Sequence, residues 1–315
     1  MSAPTVAICV GTCGRERLLL GLLQSLGELW VPDGWTAELR LVDNRPERPV
    51  SEAAQAAARA FPGSVHLLVE PARNVAAVRN RAVDLGPADL VAFVDDDEQV
   101  EPGWLEELWA ALERQEADAV VGPVRRRLPA GAPGWLRAAA RDATPAREGP
   151  LDWRQARTGN ALIRGGWFYQ RGFRFDEAFG RSGGEDTDLF GRLERAGARL
   201  GSAPRAIVQE SWEGERLTLA WNCRRRWHSA ITYHRLASRL EPGYGPGPAT
   251  LRRAARVAGG VALGLATGVL PWGRRRLGLA ALDAAALAGG VQAWLAPPRE
   301  YAPYGAEEEP CESRS

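Results

Sequence analysis

The stretch Leu90-Val91-Ala92-Phe93-Val94-Asp95-Asp96-Asp97-Glu98 decides how the rest of the chain is read. Five apolar residues that stop abruptly at four carboxylates read as a buried β-strand whose C-terminal end carries chemistry. Working backwards, residues 5–10 form another β-rich apolar run, closed by the turn Gly11-Thr12-Cys13-Gly14. Leu19, Leu22, Leu23 and Leu26 then mark one face of a helix. Residues 38–43 make a second strand, 52–60 an alanine-rich helix, 65–69 a third strand, and 74–85 a further helical pattern. Working forwards, Leu105, Leu108, Trp109 and Leu112 repeat the helical spacing behind Pro102, and residues 119–124 read as a fifth strand. Strands alternating with helices of this length predict an α/β fold built on a mostly parallel sheet. Ligands of such sheets bind beyond the carboxyl ends of the strands. The polar clusters at 12–17, 43–45 and 95–98 all fall there.

Composition narrows the possibilities. The 315 residues, 45% hydrophobic and 25% charged, describe a folding chain with room for one large domain or two moderate ones. A net charge of +1 supplies no basic field, so no nucleic-acid partner is expected. Every cationic side chain is arginine, whose planar fork suits phosphate. Cys9, Cys13, Cys223 and Cys311 show no paired metal spacing, which argues against a disulfide framework and for a reducing, cytoplasmic compartment. The first residues lack the basic and long apolar regions of a secretion signal.

The second half is less regular. Residues 125–150 read as a connector, 158–164 as a short strand, and 183–197 as a turn running into a helix. A last short strand at 206–208 precedes a helix at 217–240, and 241–253 is a linker by composition. The segments 254–270 and 277–296 are rich in Ala, Gly, Leu and Val. The first is shorter than the ~20 residues a membrane crossing needs, and the second carries Asp283 and Gln292. Arginines at 252, 253, 256 and 274–276 bracket the first segment. Two readings stand: a hairpin lying on an anionic cytoplasmic leaflet, or a helical pair packed on the main domain. The tail from 298 to 315 is expected to be disordered.

Three clusters carry candidate chemistry. Crowded carboxylates at Asp95, Asp96 and Asp97 are costly without a neutralising cation, and hard oxygens suit Mg²⁺ or Mn²⁺. If the backbone there is extended, Asp95 and Asp97 share a face. The alternative is a solvated acidic turn ahead of the next helix. Gly183-Gly184-Glu185-Asp186-Thr187-Asp188 places three carboxylates in a first helical turn. One would suffice for capping, and a surplus carboxylate can serve as a general base. Arg73, Asn74, Arg79, Asn80 and Arg81 lie at a strand-to-helix junction, where they either bind diphosphate or form a solvated face.

Taken in order, VAICVGTCGRERLLLGLLQSL, LVDNRPE, ARNVAAVRNRAVDL, LVAFVDDDEQVEPGWLEEL, GNALIRGG, FDEAFGRSGGEDTDLFGRLERAG and RLTLAWNCRRRWH resemble family 2 glycosyltransferases of the GT-A type, over roughly residues 5–235. Among subgroups the pattern is most similar to bacterial exopolysaccharide enzymes such as succinoglycan glucosyltransferases. The resemblance implies a GT-A domain at 1–240, split into a nucleotide-sugar half at 1–124 and an acceptor half at 125–240, followed by a helical extension at 254–297. It implies donor binding, with a UDP-sugar as donor, by Thr12, Arg15, Asp43, Arg73, Arg79 and Asp96, and a divalent cation on Asp95 and Asp97. Asp186 would be the base of an inverting transfer and Glu185 would orient the acceptor. Trp212, Arg226 and Trp227 would meet a saccharide or lipid-linked saccharide, at the cytoplasmic face of the inner membrane. Two departures stand out. Gln209 and Glu210 occupy the region where many relatives place a metal-binding histidine, and Cys223 stands where processive synthases carry glutamine ahead of Arg226-Trp227. Single-sugar transfer is therefore expected. A nucleotidyltransferase would need a denser Gly-rich basic loop after the first strand. A non-catalytic nucleotide-sugar-binding subunit would have no need of Asp186.

Overall fold

The computed structural model describes residues 4–45, 47, 50–140, 147–241, 243–245, 255, 257, 259–263, 266 and 271–295. Most of the linker, most of segment 254–270 and the whole tail lie outside these residues.

The first half follows the alternation of its apolar runs: β1 (Thr5–Thr12), α1 (Glu16–Gly27), β2 (Thr36–Asp43), α2 (Glu52–Ala58), β3 (Ser64–Val69), α3 (Val75–Val83) and β4 (Leu90–Val94). β1 pairs in parallel with β2 and β4, and β2 in parallel with β3. β5 (Glu98–Val100), α4 (Trp104–Arg114), β6 (Ala119–Val121), β7 (Val124–Arg127), α5 (Gly134–Ala139), β8 (Asn160–Arg164) and α6 (Gly166–Tyr169) follow. α7 (Glu185–Arg195), β9 (Leu200–Ser202), β10 (Val208–Ser211) and α8 (Leu219–Leu240) come next, and a long helix, Pro271–Leu295, lies furthest along the described chain.

Seven strands form one sheet in the order β3-β2-β1-β4-β8-β6-β9, and β5-β10-β7 form a second. β8 is antiparallel to both of its neighbours, so the main sheet is mixed but mostly parallel. Its two faces bury separate apolar clusters. Leu22, Leu23, Leu26 and Leu105 lie on one side, and Phe93, Phe168, Phe175 and Leu189 on the other.

Several expectations change. The fifth strand splits at Gly122-Pro123: β6 ends in the main sheet, while β7 crosses to pair with β10. Proline cannot donate to the ladder, and a Cβ on Gly122 would collide with the Ala206 carbonyl. The supposed connector contains β7 and α5, anchored by the fully buried Leu136. The last helix opens at residue 271, ahead of the apolar segment 277–296, since proline is tolerated where a helix begins. That helix packs on α8 and α5 and buries Ala280, Leu282 and Ala286. No helix among the described residues is long and apolar enough to cross a membrane.

Candidate active site

Parallel pairing of β1 with β2 sets Thr12 beside Asp43, and β4 ends two positions from Asp96 on the other side of β1. Three strand ends thus open on one cleft. Thr12 is buried and its hydroxyl donates to Asp96 Oδ2 at 2.8 Å. The Arg15 guanidinium donates to Asp96 and, at 2.7 Å, to Asp97 Oδ2. Asp43 is buried; its Oδ1 accepts the Arg45 N–H at 3.1 Å, while Oδ2 has no hydrogen-bond partner among the described residues. Burial raises its pKa against the pull of Arg45. A buried carboxylate oxygen left open at a strand end suits a polar N–H donor such as a nucleobase edge.

Asp95 to Glu98 do not continue the strand. They form a turn closed by the Glu98 N–H on the Asp95 carbonyl at 3.1 Å, and the Glu98 carboxylate accepts the Asp95 N–H at 2.9 Å. The expected shared face is therefore absent. Asp95, 45% exposed at its side chain, meets Arg79, while Asp97 lies between Arg15 and Arg216, each at 2.7 Å. Burial pushes Asp97 up, but the two arginines outweigh it and hold its pKa below the ordinary value. Asp96 is pushed up to about 6 by burial, with Arg15 opposing and Asp97 adding. Glu98 rises well above its usual range through burial and the charges of Asp95, Asp97 and Glu210.

The acidic turn gathers four carboxyl groups in one place, with Arg15, Arg79 and Arg216 set against them. Hard carboxylate oxygens of this kind suit Mg²⁺ or Mn²⁺. Among the described residues no ready-made cluster of three or more His, Cys, Asp or Glu ligands exists. The donor set suits a cation held by one or two carboxylates and completed by substrate oxygens. Glu210 is already paired with Arg216 at 2.9 Å and with Arg126 at 3.7 Å.

Across the cleft, Gly184 adopts φ 97°, a left-handed conformation that favours glycine, and α7 begins at once with Glu185 and Asp186. A side chain at Gly184 would also strike Thr232 of α8, so α8 braces this turn from behind. Glu185 is buried, paired with Arg79 through Oε1, and its Oε2 meets no partner among the described residues. Burial, with Asp186 adding to it and Arg79 opposing, lifts its pKa to about 7. Asp186 keeps a carboxylate that is 18% exposed; Oδ1 accepts from the Thr187 N–H at 2.6 Å and its hydroxyl at 3.1 Å, and Oδ2 lies 4.0 Å from Arg157 Nε.

Arg79 joins the two walls. One nitrogen reaches Glu185 and the other reaches Asp95 Oδ1 at 3.1 Å. The acidic turn and the start of α7, about ninety positions apart in the sequence, face the same cleft. Arg79 is mostly buried, whereas Arg73 is exposed at the rim, where its carbonyl accepts from Arg181 at 3.3 Å.

The expected acceptor aromatics are placed differently. Trp212 is 5% exposed, with the Arg126 guanidinium 4.7 Å above its ring and Trp221 edge-on at 5.7 Å, so no ring face is open to a sugar. Trp227 is half-buried under the last helix, which comes so close at Gly289 that a Cβ there would strike the Trp227 backbone. Trp212 is thus part of the packing, whereas Trp227 is covered on one side and remains partly exposed. Arg226 is exposed on α8. Arg216 and Arg157, which do reach the site, went unrecognised, because neither differs in local context from the chain's many other arginines.

A family model described as Glycosyl transferase family 2 matches residues 7–179. The chain is 32% identical over 244 residues to the succinoglycan biosynthesis protein ExoM of Rhizobium meliloti (strain 1021), covering 77% of this chain and 79% of that one. Among solved structures it is similar to S. aureus TarS 1-349, with a TM-score of 0.54 at 14% identity over 76% of this chain and 67% of that one. The same protein in complex with UDP-GlcNAc gives 0.54 at 15% identity, over 72% and 66% of the two chains. At such identity the likeness to TarS is one of fold.

Proposed function

The chain belongs to glycosyl transferase family 2 and is a glycosyltransferase, and from that premise we propose that it moves a sugar with inversion from a UDP-sugar to a hydroxyl of a saccharide or lipid-linked saccharide during exopolysaccharide synthesis. The observation that carries the reading is the Arg79 bridge, which sets the strand-end donor pocket and the start of α7 on facing walls of one cleft. The relatives point the same way: ExoM is a succinoglycan biosynthesis protein, and TarS has been solved with UDP-GlcNAc and with UDP.

Asp186 is the general base. Its half-buried carboxylate takes the proton of the acceptor hydroxyl as that oxygen bonds to the anomeric carbon, and the bond from that carbon to the diphosphate breaks, its electron pair leaving with UDP. One base suffices, because the attack is direct and no enzyme nucleophile intervenes. Glu185 stands beside the acceptor, where its unpaired oxygen can take a sugar hydroxyl. Asp43 reads the base, Thr12, Arg15 and Arg73 line the nucleotide side, and Asp96, expected there too but fully buried, holds Thr12 and Arg15 in place. Arg79 holds Asp95 and Glu185 in place. Asp95 and Asp97 would hold Mg²⁺ or Mn²⁺, which when bound offsets charge on the departing diphosphate.

The test is UDP release across a panel of UDP-sugars with metal present. Asp186→Asn should lower transfer by about three orders of magnitude while UDP affinity changes little. Near-normal turnover in that variant would overturn the base assignment.

We also propose that residues 1–240 form the catalytic domain and that the C-terminal helix touches the cytoplasmic face of the inner membrane. Arg274, Arg275 and Arg276 are exposed at one end of that helix, and Val291 and Leu295 at the other. Co-sedimentation with anionic liposomes that is lost when the three arginines become glutamine supports this contact. Equal binding to neutral liposomes, or none, removes it.

A further inference from the structure

A second concavity, of about 570 Å³, opens outside the catalytic cleft. It is an open concavity lined by the C-terminal ends of α7 and α8 and the loop after α6, among them Arg171, Phe173, Arg192, Arg195 and Arg239. Asp186 and Arg195 are nine residues apart on α7, which places this concavity about 13 Å along the helix from the base.

The charges here do not cancel. Arg192 is paired with the fully buried Asp188 at 2.6 Å. Arg239 shares Asp188 at 3.7 Å and meets Asp176 at 3.1 Å. Among the described residues Arg171 and Arg195 make hydrogen bonds only to carbonyls: Arg171 to Ala196 at 3.5 Å, and Arg195 to Arg239 and Leu240 at 3.4 and 3.2 Å. These are the last carbonyls of α7 and α8, whose helix dipoles offset part, but not all, of a guanidinium's charge. Among the described residues four cations therefore face two carboxylates, a formal surplus of two positive charges that the two helix ends offset only in part. Arg171 is further fixed by lying 4.1 Å over the Trp167 ring, and Phe173 supports that indole edge-on at 5.4 Å.

Preoriented guanidinium forks with unspent charge match the oxygens of a phosphoryl group. The volume leaves room for a sugar beside it. We propose that this concavity is a phosphoryl-binding site, taking either free phosphate or the phosphate of a phosphorylated saccharide. It is independent of the donor pocket and goes beyond the transfer reaction proposed for the cleft.

Calorimetric titration of the full chain with inorganic phosphate and with a hexose 1-phosphate tests this. The wild type should bind at least one of them. The Arg171→Gln, Arg195→Gln double variant should bind about tenfold or more weakly, while Arg15→Gln, altered only in the cleft, keeps the wild-type affinity. Tighter binding of the hexose phosphate identifies a phosphorylated saccharide as ligand, and equal binding identifies free phosphate. Should the double variant not fold, Arg171→Gln alone, at an exposed position, should weaken binding about threefold. No binding by the wild type, full affinity in the arginine variants, or loss confined to Arg15→Gln would each overturn the site.

Discussion

At Glu185 burial and function pull in opposite directions. The folded protein holds this carboxyl's proton up to about pH 7, whereas in the unfolded chain it is released near the ordinary value of 4.5. Stability must then fall as pH rises from about 4.5 to 7, because over that window the folded state binds more protons than the unfolded one. Glu185→Gln removes the penalty. Its melting temperature should exceed the wild type's at pH 8, by the equivalent of about 1–3 kcal/mol, and the gain should shrink as pH approaches 4.5. Thermal melts across that range check the sign, and a gain largest in acid would contradict it. The paired carboxylates Glu185 and Asp186 were legible as candidates because three acids exceed what a helix start needs. Arg216 was not, because an arginine's partner is set by a fold contact that its neighbours in sequence do not encode.

At the scale of elements, both walls of the cleft rest on helix starts with specific local chemistry. Asn74 caps α3, accepting from the Ala76 and Ala77 N–H groups at 3.0 and 3.1 Å, and its amide reaches the Glu177 carbonyl at 2.9 Å. Asn74→Ala should cost about 1–2 kcal/mol in urea unfolding, and should loosen Arg79 on the same helix. Gly184→Ala should be worse for activity than for binding. It forces a side chain into left-handed backbone and against Thr232, displacing Glu185 and Asp186, and about tenfold or more should be lost from kcat with UDP affinity retained. A loss of UDP affinity with unchanged kcat would show that this turn serves the donor instead. The longer helices and the apolar strands followed from periodicity, whereas the short α5 and α6 did not. The short strands β7 and β9 did not, because three or four residues carry too little period to register, and the break at Gly122-Pro123 appears only when two sheets compete for the chain.

For the whole molecule, the last helix is part of the support for the site. It lies against α8, whose other face braces Gly184, so removing residues 255–315 should bare the side of α8 around Trp227 and Ala230. The shortened protein should melt several degrees lower and aggregate on heating. An unchanged melting temperature would mean that the helix is an appendage. Here the two readings of the C-terminal segments meet: the described helix packs on the domain and still presents arginines and apolar residues outward. By itself the sequence determined the α/β class, the order of the strand-end clusters and the carboxylates worth testing, since hydrophobic period and crowded charge are local properties. Only the tertiary structure decided that one arginine spans both acidic walls, that Trp212 is buried while Trp227 is half-covered by the last helix, and that four arginines from distant segments share a second concavity. Those facts depend on which surfaces meet when the core closes, and no window of neighbouring residues contains that information.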